Sequence, residues 1–277
     1  MCLQPLTIKT AKVRMDGKYL VHVPCGKCPK CKKLKRDSWS FRLNHLHNKS
    51  LQSQFITFTY DPIHLPRTDS YVPTLCKRDI QLFFKKLRKA QKQVDDTPIK
   101  YYLVGEYGTR TNRPHYHALM FGVNPNININ RVWGKGFTLS LPIKQGGIQY
   151  VLKYITKQPN KVNDALPEFS LSSKGIGEDY LTANIMQYHK QIQNSYLILE
   201  NGVKMPIPKY YKEKLYSSSN GEREKVTVYL MNRYQKTEKQ KHAQYMRQNP
   251  THSVNTMLKN IDLQNYNNKF DKRIETL

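Results

Sequence analysis

The 277-residue chain is long enough for one large domain or a domain with extensions, and its 46 Lys and Arg against 20 Asp and Glu give a formal charge of +26. That balance favours a polyanion as partner, through charge neutralisation and counterion release, and 19 tyrosines among the lysines suit stacking on unpaired bases. The composition speaks against several other classes: there is no apolar run of about 18 residues for a membrane span, no apolar signal core at the N-terminus, and no Gly-x-x-x-x-Gly-Lys-Ser/Thr loop of a nucleotide-hydrolysing motor.

Residues 1–50 open with Cys2 and continue to Val23-Pro24-Cys25-Gly26-Lys27-Cys28-Pro29-Lys30-Cys31. Five cysteines, an odd number, argue for a reducing compartment and against a disulfide framework. The Cys-x-x-Cys-x-x-Cys spacing of Cys25, Cys28 and Cys31, with Cys2 as fourth ligand, suits a tetrahedral thiolate site for structural Zn²⁺. The neighbouring Lys27, Lys30, Lys32 and Lys33 favour thiolate over thiol. Free thiols in a basic turn and an iron–sulfur cluster are the competing readings. Residues 32–48 place Leu34, Trp39, Phe41 and Leu43 among basic side chains and read as a basic helix lying on nucleic acid.

Residues 54–60 are β-branched and aromatic and read as a strand, ended by the turn Asp61-Pro62. Ile80, Phe83, Phe84 and Leu87 recur at helical spacing within 77–93, with Lys85, Lys86, Arg88 and Lys89 around them, which predicts an amphipathic helix packed on a sheet. Residues 99–105 form a second strand, leading through Glu106-Tyr107-Gly108 to Arg113-Pro114-His115-Tyr116-His117-Ala118-Leu119-Met120-Phe121-Gly122. Pro114 and Gly122 bound that last run as a strand. Alternation then projects His115 and His117 from one face, about 7 Å apart by strand rise. The hairpin returns Glu106 beside them. One carboxylate with two imidazoles, leaving positions open for water and substrate, suits Mg²⁺ or Mn²⁺ on a phosphate oxygen.

Beyond an Asn-rich loop at 124–130, residues 136–141 alternate like a further strand. Residues 148–157 read as a helix with two stripes: Ile148, Val151, Leu152 and Ile155 on one side, Tyr150, Lys153, Tyr154 and Lys157 nearly opposite. The second stripe presents two phenols and two ammoniums together. Phosphodiester cleavage needs an in-line nucleophile and neutralisation of charge on the phosphoryl oxygens. A metal at Glu106, His115 and His117 suits the neutralisation. Tyr150 or Tyr154 suits the attack, assisted by Lys153 or Lys157, and leaves a phosphotyrosyl intermediate. The last third is rich in Tyr, Lys and Asn without a strong period, with a hairpin or loop at 202–208, a helix at 222–247 and a polar tail beyond Asn249. The expected division is a Cys-rich basic segment at 1–50, a catalytic core at 51–160 and a basic, DNA-binding extension at 161–277.

The stretches Gly105-Glu106-Tyr107-Gly108, Arg113-Pro114-His115-Tyr116-His117 and Tyr150-Val151-Leu152-Lys153-Tyr154-Ile155-Thr156-Lys157 resemble the HUH-endonuclease rolling-circle replication initiators. The similarity is to the two-tyrosine initiators of small single-stranded DNA phages, the gokushovirus branch of the microviruses. Phe55–Tyr60 with Asp61 looks like that family's first motif, and the 24–31 segment is similar to that branch's N-terminal cysteine cluster. The resemblance implies an α+β fold: a central antiparallel five-stranded sheet flanked by helices, with a ferredoxin- or RRM-like core. It implies His115 and His117 as ligands of Mg²⁺ or Mn²⁺, with Glu106 as third, and Tyr150 and Tyr154 as nucleophiles giving 5′-phosphotyrosyl attachment to origin DNA. It also implies a host helicase and polymerase as partners, in the cytoplasm of a bacterial host. Two other readings stay open at this point: an HUH relaxase or transposase acting on other DNA, and a non-catalytic nucleic-acid binder.

Overall fold

The computed structural model of the protein describes every residue except 1, 10–19, 145, 158–161, 163, 194–195, 200–201, 217–220 and 249–277. The polar tail beyond Asn249, and Pro159 after the tyrosine stretch, lie outside the described residues. In chain order the elements are β1 (Leu6–Lys9), β2 (Leu20–Val23), α1 (Pro29–Lys49), β3 (Ser53–Thr59), α2 (Lys77–Gln91), β4 (Lys100–Tyr107), β5 (Pro114–Phe121), α3 (Ile129–Trp133), β6 (Thr138–Pro142) and α4 (Gly147–Leu152). A 3₁₀ turn at Lys153–Ile155 precedes β7 (Phe169–Ser172). Then come α5 (Ala183–Ile192), β8 (Tyr196–Ile198), β9 (Lys204–Pro206), α6 (Lys209–Leu215) and α7 (Glu222–Gln248).

The chain divides into two compact units, Trp39–Tyr180 and Met1–Ser38 together with Leu181–Leu277. The first holds a five-stranded antiparallel sheet in the order β6-β3-β5-β4-β7. Each strand expected from the sequence is present. The fifth, β7, comes from a stretch assigned to the C-terminal extension. Its Phe169–Ser172 pairs along β4, which carries this unit past residue 160. At the other end, the last turns of α1 from Trp39 onward belong to the same unit.

The two faces of the sheet differ. On one, Ile80, Phe83, Phe84 and Leu87 of α2 bury against Phe58, Leu103, Tyr116, Ala118 and Met120, closed at one end by Trp133 of α3. Each such side chain contributes roughly 1.5–3 kcal/mol of burial. The phenols within this core are satisfied: Tyr60 Oη donates to Asp79 at 2.9 Å, lies 3.0 Å from Tyr116 Oη, and the Cys76 amide donates to Tyr116 Oη at 2.8 Å. On the opposite face, Tyr102, Val104, Leu119 and Phe121 are covered by Leu43 of α1, by Ile148, Val151 and Leu152 of α4, and by Ile176. Trp39 tilts against Tyr102 with ring centroids 4.7 Å apart. The apolar residues of α1 from Trp39 onward therefore dock on the sheet, in place of the nucleic-acid contact expected for this helix. The remainder of the second face is left to Glu106, His115 and His117.

The other unit pairs β1 with β2 and β8 with β9, both antiparallel. The β8–β9 hairpin meets the expectation for 202–208, and α7 that for 222–247. Leu197, Met205, Ile207, Tyr211, Leu215 and Tyr216 are buried there, and Tyr216 Oη donates to the His189 carbonyl at 3.3 Å. Among the described residues no helix is long and apolar enough to cross a membrane.

Candidate active site

Antiparallel pairing of β4 with β5 sets Glu106 opposite His115 and Val104 opposite His117. Alternation points both imidazoles and the carboxylate to the face away from α2. Glu106 Oε1 lies 2.9 Å from Nε2 of His115 and 2.9 Å from Nε2 of His117. The other ring nitrogens are engaged elsewhere. His115 Nδ1 lies 3.1 Å from the Arg113 carbonyl, and His117 Nδ1 lies 3.0 Å from the Thr57 hydroxyl across the β3–β5 ladder. A carbonyl only accepts, so His115 Nδ1 carries a proton, and in the neutral ring Nε2 then presents its lone pair to the carboxylate. Thr57 supports the same tautomer in His117. Two lone pairs and a carboxylate oxygen converging on one point are stable only with a cation between them or with extra protons. The three ligand atoms all lie within 4.8 Å of one another, so the donor set fits a divalent metal.

The electrostatics of the metal-free site follow from that convergence. Burial opposes the charged form of Glu106, but hydrogen bonds from His115, His117 and Tyr154 outweigh it and hold the carboxyl well below the usual range. Burial likewise opposes protonation of His115. The hydrogen bond to Glu106, with the Arg113 carbonyl, outweighs it and raises the imidazole above its ordinary value.

Beside this triad stands the tyrosine stretch. Gly146, at φ 85°, starts α4, whose Ile148, Val151 and Leu152 bury on the sheet. The expected helix over 148–157 stops at Leu152 and tightens into a 3₁₀ turn at Lys153–Ile155. The phenols still come together: the rings of Tyr150 and Tyr154 are 6.0 Å apart, and Tyr154 Oη lies 3.4 Å from Tyr150 Oη. His117 faces both, with centroids 5.8 Å from Tyr150 and 5.9 Å from Tyr154. Burial first, then hydrogen bonds with Tyr150 and Glu106, push the Tyr154 phenol up. Tyr150 is 40% exposed. Lys153 Nζ sits 3.8 Å from the Tyr150 ring centroid, on the ring face rather than at the oxygen. Lys157 Nζ lies 3.8 Å from Glu106 Oε2. All seven residues named from the sequence for this chemistry therefore lie on one face of one compact unit.

Two residues escaped the sequence reading. Thr57 fixes His117 through Nδ1, and Phe55 stacks on the same imidazole at 5.5 Å while meeting Tyr150 edge-on at 5.8 Å. Alternation along β3 placed them on one face, but only the register against β5 shows what they meet. Asp61 holds His64, accepting from its amide at 2.7 Å and lying 2.8 Å from its ring.

The four expected zinc ligands also converge, in the other unit. The sulfurs of Cys2, Cys25, Cys28 and Cys31 lie within 4.8 Å of one another and form a second metal-compatible group.

Comparison with known proteins gives matching results. Residues 53–159 match the family of replication-associated proteins of the ORF2 type. The chain is 29% identical over 231 residues to the replication-associated protein ORF2 of Spiroplasma virus 4, spanning 74% of this chain and 72% of the relative. It is 29% identical over 217 residues to the replication-associated protein VP4 of Bdellovibrio phage phiMH2K, spanning 69% and 66% respectively. It is 23% identical over 234 residues to the replication-associated protein ORF4 of Chlamydia phage 1, spanning 73% and 56%. No solved structure matches the chain. These matches agree with the resemblance carried by the His-x-His and tyrosine motifs.

Proposed function

We propose that this chain, whose residues 53–159 match the family of ORF2-type replication-associated proteins, initiates rolling-circle replication of a phage genome by nicking and later rejoining an origin strand. Glu106, His115 and His117 are the residues that would hold Mg²⁺ or Mn²⁺. Bound there, the ion supplies positive charge to the phosphoryl oxygens as charge builds on them. Tyr150 or Tyr154 attacks the phosphorus of a backbone phosphodiester. A tyrosyl O–P bond forms, the P–O3′ bond breaks, the phenol proton leaves and the departing 3′ oxygen is protonated. The 5′-phosphate stays on the protein until a 3′-OH reverses the step and reseals the strand. Lys157, against Glu106, and Lys153, over the Tyr150 ring, contribute positive charge where the phosphate docks. The partners of this reading are origin DNA, held covalently, and a host helicase and polymerase, in the cytoplasm of a bacterial host. The 161–277 region is proposed to add DNA contacts.

The observation that carries the proposal is the placing of both phenols against the same imidazole that shares Glu106 with its neighbour. The test is a labelled origin oligonucleotide incubated with the protein and Mn²⁺. A covalent protein–DNA adduct is expected, sensitive to chelator, with mass spectrometry locating the nucleotide on Tyr150 or Tyr154. An adduct undiminished in the Tyr150→Phe, Tyr154→Phe double variant would sink the reading. Adducts formed only on plasmid-transfer or transposon-end DNA would move the chain to the relaxase or transposase alternative.

A further inference from the structure

The cysteine group plays no part in strand cleavage, and its geometry asks for a separate account. Cys25 and Cys28 stand in the turn leading into α1, Cys31 lies in that helix's first turn, and Cys2 comes from the segment before β1. Cys2 Sγ is 3.4 Å from Cys25 Sγ and 3.8 Å from Cys28 Sγ, and all four sulfurs fall within 4.8 Å of one another. All four are free, and Cys28 and Cys31 are buried. A disulfide brings its sulfurs to about 2 Å, much closer than these.

A single tetrahedral ion accounts for the spacing. Zn–S bonds of about 2.3 Å in a tetrahedron put the sulfurs about 3.8 Å apart, inside the observed range. A polynuclear iron–sulfur cluster spreads its cysteines around several metal atoms, farther apart than these contacts. The backbone is arranged for negative sulfur as well: the Cys25 amide donates to Cys2 Sγ at 3.2 Å, and the Cys28 amide donates to Cys25 Sγ at 3.3 Å. Amide donors suit thiolates, since neutral thiols are weak acceptors. Four thiolates around a divalent ion carry a net charge of −2, and Lys27, Lys30, Lys32 and Lys33 lie close by in sequence. With every position filled by the protein, none is open to substrate, as in structural rather than catalytic zinc sites.

We propose that Cys2, Cys25, Cys28 and Cys31 bind one zinc ion that fastens the N-terminal segment to the start of α1. Binding displaces the thiol protons to solvent, so metal-free protein takes up zinc with acidification. The site is independent of the tyrosine chemistry and stands or falls without it.

The test uses the full-length, reduced protein. Cobalt exchange gives a near-ultraviolet thiolate-to-cobalt charge-transfer band, which histidine and carboxylate ligands cannot produce. The band is expected at one cobalt per chain in the wild type and in the His115→Ala, His117→Ala variant, and is expected to vanish in Cys25→Ser, Cys28→Ser. Should the serine variant fail to fold, the wild type still decides: a mercurial titrated into the zinc form should release one zinc in step with the loss of four thiols. After release, cleavage by protease within residues 1–31 should accelerate. Absence of the charge-transfer band, mercurial reaction without zinc release, or recovery of iron with inorganic sulfide would each overturn the proposal.

Discussion

Glu106 carries two opposing demands, and its behaviour with pH separates them. Without metal its charge is held by protons on the imidazoles. Its folded pKa lies below the ordinary 4.5, so its contribution to stability is present above 4.5 and disappears as pH falls through the lower folded value. His115 runs the other way: its folded pKa lies above the ordinary 6.5, so its contribution is complete below 6.5 and fades as pH rises through that raised value. In chelator, the melting-temperature difference between wild type and Glu106→Gln should therefore be largest between these limits and shrink on both sides. A difference constant with pH would contradict the pairing. A metal reverses the upper limb, because binding requires an unprotonated Nε2, so Mn²⁺ affinity should rise as pH climbs through the His115 value. Thr57 is the residue whose loss tests orientation alone. Thr57→Val removes the oxygen 3.0 Å from His117 Nδ1 and should weaken Mn²⁺ binding by about 10–100-fold, with little change in melting temperature. Calorimetric titration reads this directly, and unchanged affinity would remove Thr57 from the site's support.

At the level of elements, the site depends on the ends of strands being fixed. The loop before β6 is clamped to β3 by the Thr59 amide donating to the Phe137 carbonyl at 2.9 Å and the Asp61 amide donating to the Lys135 carbonyl at 3.0 Å. The clamp needs a glycine: at Gly136, with φ 147°, an added Cβ would stand 2.4 Å from the Thr59 carbonyl oxygen and 2.5 Å from the Asp61 nitrogen. Gly136→Ala should destabilise the protein by roughly 1–3 kcal/mol in denaturant unfolding, through backbone that cannot yield. Loss of a core ring sets the comparison, since Phe83→Ala should cost about 3–5 kcal/mol. These elements also show what a single sequence discloses. The amphipathic spacing of α2 and the alternation of β5 are local patterns, so both were legible, as was the return of Glu106 beside His115. The triad and the tyrosine stripe were legible for the same reason. Thr57 was not, because its meaning lies in a register set between residues 60 positions apart. Nor was β7, a four-residue edge strand whose identity comes from pairing with β4 rather than from any period of its own. The tightening after Leu152 is likewise invisible to a helical count, which continues a 3.6-residue period until a breaker stops it.

Over the whole molecule, charge and chemistry should respond to different variables. A formal charge of +26 gives any single strand a large electrostatic attraction, whatever its sequence. Released counterions make that attraction fall with salt, with a slope in log K against log salt of about −0.7 for each phosphate neutralised. Binding of a non-origin oligonucleotide, followed by fluorescence anisotropy across a salt series, should therefore lose affinity steeply. Cleavage has a further requirement, a phosphodiester seated between the triad and one of two phenols, which bulk charge does not supply. With DNA held saturating at each salt concentration, the rate of adduct formation on origin DNA should change far less than affinity does. His115→Ala should give the converse pattern: the salt slope retained, the adduct lost. If the adduct rate at saturation instead falls in parallel with affinity, the lysines are acting at the reacting phosphate more than along the strand. Lys153 and Lys157 would then be the first to neutralise singly, since one meets the Tyr150 ring and the other meets Glu106.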